Sequence, residues 1–375
     1  MISSSQIIFG KALNLWPTNE MMTFFIDYNA GVIGATVALL VSIALVLSKH
    51  IHGKYSLDHH AGVQKFHTDP TPRIGGLAIM AGFLAAWAFS TGEARVLLAL
   101  IGLTGLPALG FGLAEDITNK VGVKWRLLAT IFSGLVFTVA SGYSISSIGI
   151  PWLDVLLGYS WVAIPFTAFA IGGVANSINL IDGFHGLASG TLLVIFLAFG
   201  IVYARVGDST MAMVSITMLL VVLGFFLVNF PLGKLFLGDA GAYFTGYIVA
   251  VLGVLLPARH PEVSPWVSLL ILGYPVMETV FSIIRRRIDG HSPGAPDSDH
   301  LHHLVHRRWA TPMAERLDIV LGKNAMTSVL LWGLPIGSLL AASYGNLESN
   351  QPILLLGAGV LLYVAIYRTA YQKPA

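Results

Sequence analysis

The chain has 375 residues, 55% hydrophobic and 11% charged, with a formal net charge of +2 and a mean hydropathy of +0.76, whereas soluble domains carry about 25% charged residues. Twenty-one basic and nineteen acidic side chains cannot coat a globule of this size, which excludes a water-soluble fold. The absence of cysteine excludes disulfide scaffolds, iron–sulfur clusters, thiolate zinc sites and cysteine nucleophiles, and so small a net charge, with no basic run interleaved with aromatics, gives no sign of nucleic acid as a partner.

The first residues lack the basic, apolar and small-residue succession of a secretory leader, so the N-terminus is expected to be retained. Apolar windows of about 19 residues predict helices over 30–48, 74–91, 96–114, 126–141, 158–176, 188–204, 210–229, 241–257, 265–284, 326–343 and 352–367. The expected fold class is therefore an all-α integral membrane protein, one polytopic domain over 1–375 with eleven spans and its termini on opposite sides. The connections 49–73, 115–125, 177–187, 230–240 and 285–325, with the tail 368–375 and Arg126 at a helix mouth, hold seventeen of the twenty-one Lys and Arg. Only Lys11, Arg95, Arg205 and Arg259 fall on the other face. Basic loops stay in the cytoplasm, which sets the N-terminus outside and the C-terminus inside. Histidine does not enter that rule, yet eleven of the twelve histidines lie on the same face, with Glu115, Asp116, Asp182 and Asp239. Chemistry is gathered on one side.

The inner connections carry unusual clusters. The first runs from Lys65 through His67 and two prolines to Arg73-Ile74-Gly75-Gly76, entering a helix whose free N–H groups favour an anion. The second puts Glu115 and Asp116 at the membrane boundary, followed by Lys120, Lys124 and Arg126. The third, Asn176 to Gly186, alternates Asn176, Asn179, Asp182 and His185 with glycines that allow close backbone approach, more polar groups than a turn requires. In the fourth, Gly238-Asp239-Ala240-Gly241 opens a helix; Asp239 reads either as an N-cap or as a carboxylate for Mg²⁺, which takes one or two carboxylates and completes its shell with water and phosphate. The fifth holds His300, His302, His303 and His306 beside Arg307 and Arg308. Without a rigid carboxylate or cysteine partner these imidazoles suit a nucleotide diphosphate better than zinc.

Elsewhere, Gly102, Gly105, Gly110 and Gly112 are expected to let helices approach closely. Glu278, inside the ninth span, is expected to pair with Arg285, and Trp87, Trp152, Trp161, Trp266 and Trp332 to anchor helix ends at the interface.

Acids in several inner connections, with basic groups and imidazoles on the same face, are what a metal-assisted phosphoryl transfer requires. One phosphate attacking another is held back by charge repulsion, so a dication and basic groups must neutralise it. Eleven spans suit a lipid reactant. The competing readings are a transporter or channel, which predicts polar groups near the middle of the bilayer and internal repeats, of which the sequence shows none that convince, and a non-catalytic scaffold for glycan assembly.

The sequence resembles the polyprenyl-phosphate N-acetylhexosamine-1-phosphate transferases, glycosyltransferase family 4. The resemblance is carried by Lys65–Gly76, by Glu115-Asp116, by Asn176–Gly186, by Gly238–Gly241 and by His300-Leu301-His302-His303, in the family's order from about residue 63 to residue 308. It implies transfer of an N-acetylhexosamine 1-phosphate from a UDP-sugar to undecaprenyl phosphate, with release of UMP, in the bacterial inner membrane. Mg²⁺ or Mn²⁺ is the implied cofactor, and a homodimer is compatible with the resemblance. Carried over by position, Asp116, Asp182 and Asp239 are the catalytic acids: Asp239 the metal ligand, helped by Asn179; Asp116 near the lipid phosphate with Glu115 beside it; Asp182 the organiser of the site. Lys124 would meet the diphosphate, and His300, His302 and His303 the nucleotide sugar. Lys65, Arg73, Asn176 and His185 complete the substrate-binding set. The His-Leu-His-His form looks more like the WecA-like branch, which starts O-antigen and other surface glycans, than the peptidoglycan branch. Two departures stand out: Glu115 replaces the first Asp of the family's pair, and His185 stands where many members carry a second Asp, which makes a modified donor such as a 6-deoxy sugar an expectation.

Overall fold

The computed structural model describes residues 28–58, 70–290, 297–317 and 322–371; Lys65 lies outside them. Each predicted span coincides with helix. In chain order these are α1 (Asn29–Leu47), a short α2 (Lys49–Ser56), α3 (Gly75–Phe89), α4 (Gly92–Thr118), α5 (Val123–Ser141), a short α6 (Pro151–Leu157), α7 (Ser160–Leu180), α8 (Leu187–Arg205), α9 (Ser209–Asn229) and α10 (Gly238–Arg259). They continue with α11 (Trp266–Ile271), α12 (Gly273–Ile288), α13 (Leu301–Val305), a π-turn (His306–Ala310), α14 (Thr311–Leu317), α15 (Gly322–Leu331), α16 (Gly333–Tyr344) and α17 (Gln351–Tyr371). Strands β1 (Leu57–Asp58) and β2 (Thr71–Pro72) form an antiparallel pair with Leu57 opposite Pro72.

Among the described residues, nine helices are long and apolar enough to cross a bilayer, Gly322–Tyr344 counting as one. The ninth and tenth predicted spans are interrupted, at Leu272 and Trp332. Both breaks have the same cause. A proline clashes with the carbonyl four residues before it, and Pro275 and Pro335 stand four residues after Ile271 and Leu331, the last residues of α11 and α15. Other predicted boundaries move outwards: α4 runs on to Thr118 and α7 to Leu180, so Glu115, Asp116 and Asn179 stand on last turns of helices, not in loops.

The core is α10. Every residue from Ala240 to Leu256 is buried, as expected of a helix apolar on all sides and enclosed by others. Helices α3, α4, α5, α7 and α8 pack round it, while α1 and α9 pack against each other and α3 on one flank. The outer surface is apolar too, with Leu103 68% and Leu361 74% exposed, and a surface of this kind is stable only with lipid as its solvent. Gly102, Gly105 and Gly112 each sit hard against a neighbouring helix, but Gly110 faces open space. At the end of the bundle away from Asp239, Asp208 caps α9 through the Met211 N–H at 3.0 Å and accepts Arg259 Nε at 2.8 Å.

Candidate active site

A helix that begins inside a bundle leaves its first N–H groups without water, and α10 begins there. Gly238 precedes Asp239 at φ +73°, and a Cβ on it would lie 2.0 Å from the Arg73 carbonyl oxygen, so only glycine fits. Gly112 brings α4 against the same turn, where a Cβ would lie 2.6 Å from the Ala240 nitrogen. Two acids then meet the exposed N–H groups. Asp116, 1% exposed, accepts the Asp239 N–H on Oδ1 and the Ala240 N–H on Oδ2, both at 2.9 Å, and Asp182 accepts from the Gly238 N–H. Carboxylates are favoured at the positive end of a helix. Asp116 and Asp182 thus cap the helix that carries Asp239.

The side chain of Asp239 is held separately. Its Oδ1 accepts Asn179 Nδ2 at 2.9 Å, its Oδ2 forms an ion pair with Arg126 on the first turn of α5, and the Asn179 amide oxygen accepts the Tyr243 hydroxyl at 3.1 Å. Burial, and then the charge of Asp239, push the Asp182 carboxyl up to about 7. Arg73 closes the other side, donating Nη2 to the Glu115 carbonyl at 2.7 Å and Nε to the Asp116 carbonyl at 3.1 Å, the arrangement in which a cation satisfies the last carbonyls of a helix. Glu115 Oε2 accepts the Val121 N–H at 2.8 Å and fastens the turn between α4 and α5.

The histidine segment is buried beside the third connection. Phe184 lies 5.7 Å from His302, 5.7 Å from His303 and 4.8 Å from His306, ring centre to ring centre. His302 turns Nε2 towards Gly183, where a Cβ would come within 3.2 Å of it. Burial pushes the imidazoles of His302, His303 and His306 down, the latter two to about 4, so near neutral pH they offer a lone pair and an N–H but no charge. Among the described residues no group of three His, Asp or Glu is arranged to hold a metal ion.

The family model described as glycosyl transferase family 4 matches residues 97–256, a stretch containing Asp116, Asp182 and Asp239. An undecaprenyl-phosphate alpha-N-acetylglucosaminyl 1-phosphate transferase of Yersinia pestis is 30% identical over 281 residues, covering 71% of this chain and 74% of that protein. The chain belongs to glycosyl transferase family 4. A probable undecaprenyl-phosphate N-acetylglucosaminyl 1-phosphate transferase of Bacillus subtilis is 29% identical over 76% of this chain and 80% of its own length. The Escherichia coli K12 protein with the same name as that of Yersinia is 28% identical over 78% and 81%.

Within this family 4 chain the acids predicted from sequence come together, and several of the other residues do not. Asn176 turns to α5, donating Nδ2 to Thr130 Oγ1 at 3.0 Å. His185 links two connections: Nδ1 lies 3.1 Å from the Pro231 carbonyl, and its own carbonyl accepts Ser328 Oγ at 2.7 Å. Lys124 is exposed, and Arg126, two residues on, takes the place beside Asp239. His300 has both ring nitrogens engaged within the protein. Glu278 pairs with His300 and not with Arg285, which binds Asp297. Trp332 is no interfacial anchor; its Nε1 donates to the Gly186 carbonyl at 3.2 Å. Tyr243 and Asn229 support the site and are not among the residues predicted for it. Tyr243 had a readable signal, lying four residues after Asp239 on one helix face. Asn229 stands out in sequence as the start of Asn229-Phe230-Pro231, but its role does not: it accepts the Gly186 N–H and donates to the Leu235 carbonyl across a chain reversal that no spacing announces.

Proposed function

We propose that this chain transfers N-acetylglucosamine 1-phosphate from its UDP-sugar to undecaprenyl phosphate, releasing UMP, and so starts a surface glycan such as O-antigen. The reaction is placed on the cytoplasmic face of the bacterial inner membrane, with eleven spans and the N-terminus outside, the orientation that the basic connections favour. The names of the three relatives supply the substrate class. The observation that carries the reading is the convergence of Asp116, Asp182 and Asp239 on one helix mouth, flanked by Arg73 and Arg126, at one end of an apolar bundle.

The donor set suits a hard dication. The charge of Asp239 disfavours that of Asp182, and Asn179 adjoins them, whereas both oxygens of Asp116 are taken by backbone N–H groups. Asp239 and Asp182, with Asn179 beside them, would hold Mg²⁺ or Mn²⁺. When bound, such an ion supplies positive charge where two phosphates must approach. Arg126 is positioned to exchange its carboxylate partner for a diphosphate oxygen, an exchange that suits a guanidinium. Arg73 and Asp116 keep the helix mouth fixed, so that the charge around it is preorganised. A lipid phosphate is already ionised near neutral pH, and no strong base is needed.

The test is incubation of the purified protein with undecaprenyl phosphate, Mg²⁺ and a panel of UDP-sugars that includes a 6-deoxy form, with the lipid product weighed by mass spectrometry. A lipid-diphosphate N-acetylglucosamine and UMP are expected. Solute flux across sealed vesicles that is indifferent to the lipid phosphate, without UMP release, would replace this reading with a transporter.

A further inference from the structure

Glu278 is fully buried, at 0% exposure, in the middle of α12. A carboxylate so placed is costly unless every lone pair is used, and apolar packing would stabilise a helix contact at least as well. Its contacts give it a different task. Oε1 accepts His300 Nδ1 at 3.0 Å and the Leu301 backbone N–H, the first of α13, at 3.1 Å. Oε2 accepts the Tyr363 hydroxyl at 2.8 Å, from α17.

The tautomer of His300 follows from its other neighbour. Arg286 Nη2 lies 3.1 Å from His300 Nε2, and a guanidinium only donates, so Nε2 carries the lone pair and the proton sits on Nδ1, aimed at Glu278. Asp297 holds Arg286 in turn, accepting its Nε at 3.0 Å. His302 stacks on the ring thus fixed, 5.3 Å away and 9° from parallel, and presents Nε2 to Gly183, next to Asp182. Orientation therefore passes from Tyr363 through Glu278 and His300 to His302, beside Gly183 of the third connection. The last helix holds the segment at a second point, where Tyr367 donates to the Asp299 carbonyl at 3.0 Å.

We infer that Glu278, backed by Tyr363, is a positioning residue for the nucleotide-sugar half of the reaction: it sets the ring of His300 and the start of α13 so that His302 and His303 face the donor. The inference rests on the transferase reading and names a residue pair outside the stretch matched by the family model.

The experiment measures both Michaelis constants in the intact chain, with undecaprenyl phosphate and UDP-N-acetylglucosamine as probes, for Glu278→Ala, Glu278→Gln and Tyr363→Phe. Loss of hydrogen bonds to a charged group predicts that Glu278→Ala raises the KM for the UDP-sugar roughly tenfold or more, while the KM for the lipid stays within about twofold. Glu278→Gln should recover most of this, to within about threefold of wild type, because an amide oxygen still accepts both N–H groups, and Tyr363→Phe should raise the same KM by about threefold. A merely structural role would lower the active fraction and the apparent kcat and leave both constants unchanged, and that result overturns the assignment. Should Glu278→Ala not fold, Tyr363→Phe decides by the same criterion. Failure of the transferase reading looks different: the wild-type chain itself would release no UMP.

Discussion

Asp116 holds Asp239 by its backbone and leaves its side chain to others: the two oxygens of Asp116 accept the N–H groups of Asp239 and Ala240 at 2.9 Å each, while Arg126 and Asn179 hold the Asp239 carboxylate. The two acids should therefore fail differently when altered. Asp116→Asn turns one acceptor into a donor against a buried N–H, and an unpaired buried group costs about 1–3 kcal/mol. That variant is expected to lose both stability and turnover. Asp239→Asn keeps the backbone capped and gives up only the ion pair with Arg126, so it should lose no more than about 1 kcal/mol of stability, while UMP release falls at least about 100-fold. Unfolding midpoints in one detergent, measured beside UMP release, separate the two. Equal stability of both variants would refute the capping role.

Arg126 and Lys124 make a second contrast. Lys124 matched the expected position of a diphosphate contact, but it is exposed on the first turn of α5, and Arg126 is the group paired with Asp239. Removing a preorganised charge from the site costs on the order of 100-fold in turnover, which is the expectation for Arg126→Ala. Lys124→Ala should stay within about threefold, as an exposed cation contributes little through screened charge. A large loss at Lys124 with none at Arg126 reverses the assignment.

The difference between those two residues marks how far the sequence carries. Span positions were legible because a bilayer demands long apolar runs, and the acids were legible because they gather with the basic groups and imidazoles in the connections on one face. The roles were not. Whether Asp116 caps or catalyses depends on where α10 starts relative to the end of α4, which is a relation between helices 120 residues apart in the chain. His300 looked like a substrate contact until its two nitrogens were found to be spent on Glu278 and Arg286. Pairings of this kind form only when α12, α13 and α17 pack, and no spacing within one segment encodes them.

Tyr243 supports the site at one remove. Its hydroxyl donates to the Asn179 amide oxygen at 3.1 Å and thereby turns the amide nitrogen to Asp239, 2.9 Å away. Tyr243→Phe removes that orientation and keeps the ring, so turnover is expected to fall about 5- to 10-fold with stability changed by about 1 kcal/mol, the worth of one hydrogen bond. Steady-state UMP release with a parallel thermal melt checks it, and unchanged turnover would show that Asn179 needs no such partner.

His306 gives a pH test. Burial first, and then the positive charge of Lys323, push its imidazole down to about 4 from an ordinary 6.5, while Nδ1 lies 2.9 Å from Thr327 Oγ1. Between these two values the unfolded chain binds a proton that the folded chain refuses, so this group makes stability fall as pH drops from about 6.5 to about 4, with no contribution above that window and no further change below it. The full effect of one such group is on the order of 3 kcal/mol. Glutamine keeps a partner for Thr327 and cannot take up the proton. His306→Gln should therefore gain stability relative to wild type as pH is lowered from 7.5 to 4.5, and the comparison cancels other groups that titrate in both proteins. A stability gap between the two proteins that is the same at both pH values would mean that His306 titrates alike in the folded and unfolded chains, and that its burial beside Phe184 does not keep it neutral.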